Sequence, residues 1–374
     1  MGYRQHKPAN GSWQSGFSIL ELLLALALGL VVISGIVQLF VGNSRTYELV
    51  NAQSRLQENA RFAFEFISGA ARSAGYYGCA PEPQYVIKGL AGSWNTIPEY
   101  DLTRPVGGFE ALGSGSYAPD NLLTLPRSES GTDTNVHLAG NGIDSTVLDR
   151  RSDIVIFRSL RQPVGRLAQT LQPDGDPVVY TPGGQPSYAV DDVVLVSDCE
   201  QAALIRVTGV VSGPDRVTLE HATTDGGSNF NNAQSVTTLG GDLLPATLSV
   251  LGKSYGGAAT ISHLDSTFFF IAPSTAANQS QTQVNALWRK RGAEAPVELV
   301  QGVENMQVLY GVDTTPDGLA NVNRYETIEA VDDPNEIVAV WVRLDISSPD
   351  EVAEIGGRLR RTFTRTIGIR NAGV

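Results

Sequence analysis

From Phe17 to Ala74 the chain runs 58 residues without a proline, and the first 26 of them, to Gly42, are almost wholly apolar. No compact soluble core accommodates such a segment easily. As one helix it would be about 87 Å long at 1.5 Å per residue, and its first part exceeds the roughly 30 Å hydrocarbon core of a bilayer. Glu21 is the single charge between Phe17 and Gly42. A carboxylate at the centre of a spanning helix costs about 2.5–3.5 kcal/mol on the mildest scale. Near the end the cost is smaller, yet Glu21 still asks for a partner. Cutting the chain after Gly16 would supply one, because the new ammonium of Phe17 would lie one turn away at the i, i+4 spacing.

Beyond Asn43 the pattern turns amphipathic. Ala52, Leu56, Ala60, Ala63, Ile67, Ala70 and Ala74 recur at spacings of three and four, which predicts one buried stripe. Arg45, Glu48, Arg55, Glu58 and Arg61 lie mostly off it, and Gly75 and Gly78 supply a stop. The organisation expected is a leader over 1–16, a transmembrane half-helix over 17–42, an amphipathic half-helix over 43–76 and a head over 77–374.

The run Gly16-Phe17-Ser18-Ile19-Leu20-Glu21-Leu22-Leu23 resembles the type III signal of type IV pilins and of type II secretion pseudopilins. The resemblance implies that a prepilin peptidase cuts after Gly16 and methylates Phe17, and that Glu21 registers the subunit against a filament. An uncleaved signal anchor and a secretory signal peptide are the plainer alternatives. Ala25-Leu26-Ala27 imitates a secretory cleavage site, but the apolar run continues well past it, longer than a cleavable h-region of about 7–15 residues. Neither alternative accounts for Gly16 or Glu21. Many pilins carry a proline in the apolar segment; here Gly29, Gly35 and Gly42 are weaker substitutes.

The 374 residues carry 27 basic and 39 acidic side chains, a net −12. Losing Arg4 and Lys7 with the leader leaves 25 against 39, or −14. That balance argues against nucleic acid, since phosphate binding needs clustered Lys and Arg. The basic residues Arg4, His6 and Lys7 precede the apolar span and acids predominate after it, which puts the leader in the cytoplasm and the bulk of the chain across the membrane. Cys79 and Cys199 fall in that exported part. An even count in an oxidising compartment suggests a disulfide; two buried thiols are the alternative. No CxxC occurs, so neither redox catalysis nor a thiolate zinc site is indicated.

After Cys79 the texture is rich in Gly, Pro, Ser and Asn, and 80–150 reads as a loop-rich insertion with a short strand around Asn121–Leu125. Strand signals follow at 153–157, 193–196, 204–207, 216–219, 267–271, 286–288, 306–310, 337–346 and 362–369. The fold class expected is α+β: a long N-terminal helix packed on an elaborated antiparallel β-domain, pilin-like. The blocks Ser197–Ala202, Asn285–Arg289, Glu298–Gly311 and Arg365–Asn371 resemble PilW-type minor pilins and, more distantly, the J-type pseudopilins of type II secretion. Length favours the former.

Enzyme signatures are weak, and no enzyme, cofactor or metal is expected. His6, His137, His221 and His263 are scattered without metal spacing. Gly252-Lys253-Ser254-Tyr255-Gly256 matches GxSxG but lacks the following helix of a nucleophile elbow, and reads as a turn. Asp313–Gly318 and Asp174-Gly175-Asp176 lack the further carboxylates of a calcium loop. The resemblance therefore implies a minor pilin with an inner-membrane span and a periplasmic head, placed at or near a pilus tip after assembly and supporting twitching motility. Its implied partners are the prepilin peptidase, other minor pilins, the major pilin and a tip adhesin. The alternatives are a type II secretion pseudopilin and a membrane-anchored enzyme or ligand-binding protein.

Overall fold

The computed structural model describes residues 18–80, 85–90, 100–112, 117–118, 151–162, 164–222, 232–238, 251–278, 281–292, 294–315 and 319–371. A single α-helix, Ile19–Ser73, forms the stem. Its 55 residues make it about 82 Å long. From Ile19 to Val41 every large apolar side chain is exposed, and no residue before Leu56 is buried. The helix stops where the glycines predict. Gly75 takes a φ of +77°, its N–H donates to the Arg158 carbonyl at 2.8 Å, and a Cβ there would collide with the Asn371 carbonyl.

The second half of the stem buries Leu56, Ala60, Ala63, Phe64, Ile67, Ala71 and Ala74, close to the stripe expected from the sequence. Phe64 and Ala71 widen it, as a 3.6-residue period requires. That face lies on a four-stranded antiparallel sheet ordered Arg324–Glu326, Val303–Val312, Ile337–Ser347, Arg360–Gly368. Val340, Val342, Leu344 and Ile346 point into this core, while Trp341, Arg343 and Asp345 between them face outward. Period-two alternation thus places one face of the sheet on the helix and the other in water.

The rest of the head is a larger, branched sheet built round the 18-residue strand Thr260–Ala277. Its first residues pair with Val193–Ser197, its middle with Ile154–Leu160 and its end with Gln283–Arg291. Phe269 and Ile271 reach the stem core, whereas Phe268 and Phe270 fill a second core on the opposite face. Burial on both faces explains the unbroken apolar run Phe268–Ile271. A third core surrounds Val194, Ile205, Leu219 and Tyr255.

The strands read from the sequence appear close to their expected places, but Asn121–Leu125 lies outside the described residues. Within the 80–150 segment, Ile87–Leu90, Val106–Ala111 and Tyr117–Ala118 are strands. Among the described residues one pairing departs from the antiparallel rule: Ile87–Leu90 runs parallel to Ala202–Arg206. Cys79 and Cys199 are joined just upstream of these strands, so both segments leave one point in the same direction.

Candidate functional site

Two regions of the chain bear on function: the start of the stem and the clamp that holds the stem to the head. At the start, Ser18 is the helix N-cap. The Leu20 N–H donates to Ser18 Oγ at 3.2 Å, and the Ser18 N–H donates to Glu21 Oε2 at 3.1 Å. This reciprocal arrangement is a capping box, and the carboxylate also lies at the positive end of the helix dipole. Reading the sequence for a partner to Glu21 missed this role, although the Ser18-x-x-Glu21 spacing carries it. Gly16 and Phe17 lie outside the described residues. The apolar span that follows is the one helix, among the described residues, long and apolar enough to cross a membrane.

At the other end, the structure brings Cys79 and Cys199 together in a bond that closes a sequence separation of 120 residues. Cys199 sits in the turn between Val193–Ser197 and Ala202–Arg206, with a φ of +72°. The Asp198 carboxylate accepts the Gln201 N–H at 3.0 Å and pairs with Lys253 Nζ at 2.7 Å. These contacts hold its pKa below the ordinary value, against the desolvation that acts to raise it. The GxSxG-like segment therefore acts as a brace on the disulfide turn. Ser254 Oγ bonds Gln172 at 3.4 Å, and Tyr255 is fully buried.

A buried carboxylate bolts the two sheets together. Asp153, which begins the Ile154–Leu160 arm, accepts the Ala111 N–H at 2.9 Å and the Val308 N–H at 2.8 Å. The Asp153 N–H donates to the Met306 carbonyl at 2.9 Å, and the Tyr310 hydroxyl donates to the Gly107 carbonyl at 3.1 Å. Burial pushes the Asp153 carboxyl up to about 6, and the two amide bonds act against that rise. Burial pushes Glu110 up to about 7, with Asp153 and Glu329 adding to the rise. Nothing in the sequence pattern singles out Asp153, because the acid lies just ahead of an ordinary strand.

The other acidic segments serve as turns. Asp313 accepts the Thr315 and Asn321 N–H groups and the Thr315 hydroxyl, which lowers its pKa; Pro316–Gly318 lies outside the described residues. Asp176 bonds His221 Nδ1 at 2.9 Å, and His263 Nε2 bonds Asp192 at 2.9 Å. No group of three or more metal-ligating side chains occurs among the described residues.

The model of the family described as Type IV Pilus-assembly protein W matches residues 268–354. The matched stretch runs from the middle of the long central strand through Ile337–Ser347, which is part of the framework on which the stem packs. No curated protein and no solved structure matches the chain. An apolar stem ahead of a β-rich head, with that framework matched, supports a PilW-type pilus protein that takes part in type IV pilus assembly.

Proposed function

We propose that the chain is a minor pilin: a low-copy subunit that helps initiate pilus assembly, sits at or near the tip and supports twitching motility. The observation that carries the reading is the stem, wholly exposed from Ile19 to Val41 and opened by Glu21, ahead of a head in which residues 268–354 match the pilus-assembly family. In this account a prepilin peptidase cuts between Gly16 and Phe17 and methylates Phe17. The span then holds the subunit in the inner membrane with its head in the periplasm, and lateral packing of apolar stems joins it to other minor pilins and the major pilin. A head of nearly 300 residues suits a tip, where it meets fewer neighbours than in a shaft.

Deleting the gene and scoring surface pili, twitching and secreted proteins together tests this. Loss of pili and twitching with normal secretion is expected. Lost secretion with intact pili would instead indicate a pseudopilin, and no change in either would indicate a membrane-anchored protein of another kind.

The charge on Glu21 can be separated from its capping role. Gln at N3 keeps a capping box but carries no charge. Glu21→Gln is therefore expected to abolish incorporation into the filament while processing at Gly16 continues. Ser18→Ala, which removes the cap at a cost of about 1 kcal/mol, is expected to leave incorporation intact. Normal incorporation of Glu21→Gln, measured in sheared pili by immunoblot, would sink the charge-pairing account.

A further inference from the structure

The strand Arg360–Gly368 forms one edge of the four-stranded sheet, and among the described residues no strand pairs with its outer side. Its ladder to Ile337–Ser347 runs without a register shift over all nine residues. The Ser348 N–H donates to the Leu359 carbonyl and the Ile369 N–H to the Val338 carbonyl, which fixes the phase of the ladder. Alternation in an antiparallel pair then turns the backbone groups of residues 361, 363, 365 and 367 inward, and those of residues 360, 362, 364 and 366 toward the open side. Among the described residues the outer edge is therefore a row of unpaired donors and acceptors, with no proline and no bulge to blunt it.

The same strand carries an uneven charge. Arg343, Arg360 and Arg361 line a cleft of about 460 Å³ at its start, together with Arg151. The acids in that cleft are already engaged: Glu304 bonds Arg358 at 2.6 Å, and Asp345 accepts from Arg343 and from the Thr362 hydroxyl. Arg360 and Arg361 are exposed and form no ion pair among the described residues. Arg365 lies over the Phe64 ring of the stem. Pairing this edge with a second copy of itself would bring two arginine-rich strands together, which like charge disfavours. An acidic strand has the opposite sign and the same backbone complementarity.

We propose that the Arg360–Gly368 edge receives an extended, acid-bearing strand from a different pilus subunit, its backbone completing the ladder and its carboxylates meeting Arg360 and Arg361. The source of the strand rests on the pilus-subunit reading; the docking chemistry does not. Main-chain bonds would supply affinity and the arginines selection, as in other cases of strand addition.

The test uses the full chain in detergent micelles and hydrogen–deuterium exchange over Arg360–Gly368, with a short valine-rich peptide bearing two adjacent glutamates, one for each face of the added strand, as the probe. Slower exchange in that segment is expected with the glutamate peptide and not with its lysine counterpart. Thr364→Pro removes an outward N–H and leaves the inward ladder whole, a position where an edge tolerates proline. That variant is expected to lose the protection while the far-UV spectrum and the exchange of Ile337–Ser347 stay as in the parent. No protection, or equal protection by both peptides, would overturn the proposal whatever the deletion phenotype shows. Protection that grows with chain concentration alone would overturn it in favour of a second copy.

Discussion

Replacing Cys199 with Ser is expected to lower the stability of the head by as much as about 4–5 kcal/mol, the loop-closure value for a separation of 120 residues. In the chain-entropy account the loss arises in the unfolded chain, so packing in the folded head does not recover it. Ile87–Leu90 reaches Ala202–Arg206 through only two residue pairs, Ile87 with Ala203 and Lys88 with Leu204. Antiparallel pairing with Asn232–Thr238 and the burial of Ile87 and Leu90 also hold that strand, and the bond adds to them by restricting the unfolded chain. Lys253 and Asp198 would remain, but both are partly exposed, and such a pair contributes roughly 0–1 kcal/mol. Urea unfolding of the full chain in detergent, parent against Cys199→Ser and against reduced parent, measures the difference. The two are expected to agree with each other. A loss below about 1 kcal/mol would show that packing of Ile87 and its neighbours fixes the turn without the bond.

How far the sequence foretells this architecture depends on how each element is held. The stem is legible because 3.6-residue periodicity is a property of the helix itself: Leu56, Ala60, Ala63 and Ile67 are on one face whatever they pack against. The long strands are legible for the same reason, with Ile337–Ser347 alternating and Phe268–Ile271 continuous because one is covered on one face and the other on two. Val106–Ala111 is not legible. It contains Gly107 and Gly108, which weaken any strand signal, and only the assembled structure supplies the reason. A Cβ on Gly108 would collide with the Tyr310 hydroxyl and the Ile154 carbonyl. Short strands such as Val178–Tyr180 and Gly209–Ser212 lack the length to display a period. Of the candidate site, the signal around Glu21 is local and visible, whereas the Asp153 bolt joins residues 111, 153 and 308 that only the fold brings together.

That bolt gives the second large effect. Asp153→Ala would leave the buried Val308 N–H without an acceptor, at about 1–3 kcal/mol, and the half-buried Ala111 N–H at less. A loss of about 2–4 kcal/mol is expected, with both sheet contacts loosened at once. The pH dependence has a definite sign. Asp153 is raised from 3.8 to about 6 and Glu110 from 4.5 to about 7, so the folded chain binds these protons more tightly than the unfolded one. Stability from both groups is then highest at the acid side of the window and falls as pH rises from about 5 to 7. The rise of Asp153 from 3.8 to about 6 corresponds to roughly 3 kcal/mol at most. Glu110 adds in the same direction. Asp198, Glu298 and Asp313 are depressed instead. Their contribution is present above ordinary carboxylate values and is lost only at lower pH, outside this window. Urea midpoints between pH 5 and 7.5 are therefore expected to fall with rising pH in the parent. Glu110→Gln removes a like charge beside Asp153 and is expected to flatten the slope without weakening the bolt. A parent profile that is flat or rises over this range would show that the Asp153 carboxylate is as well solvated in the fold as in the unfolded chain.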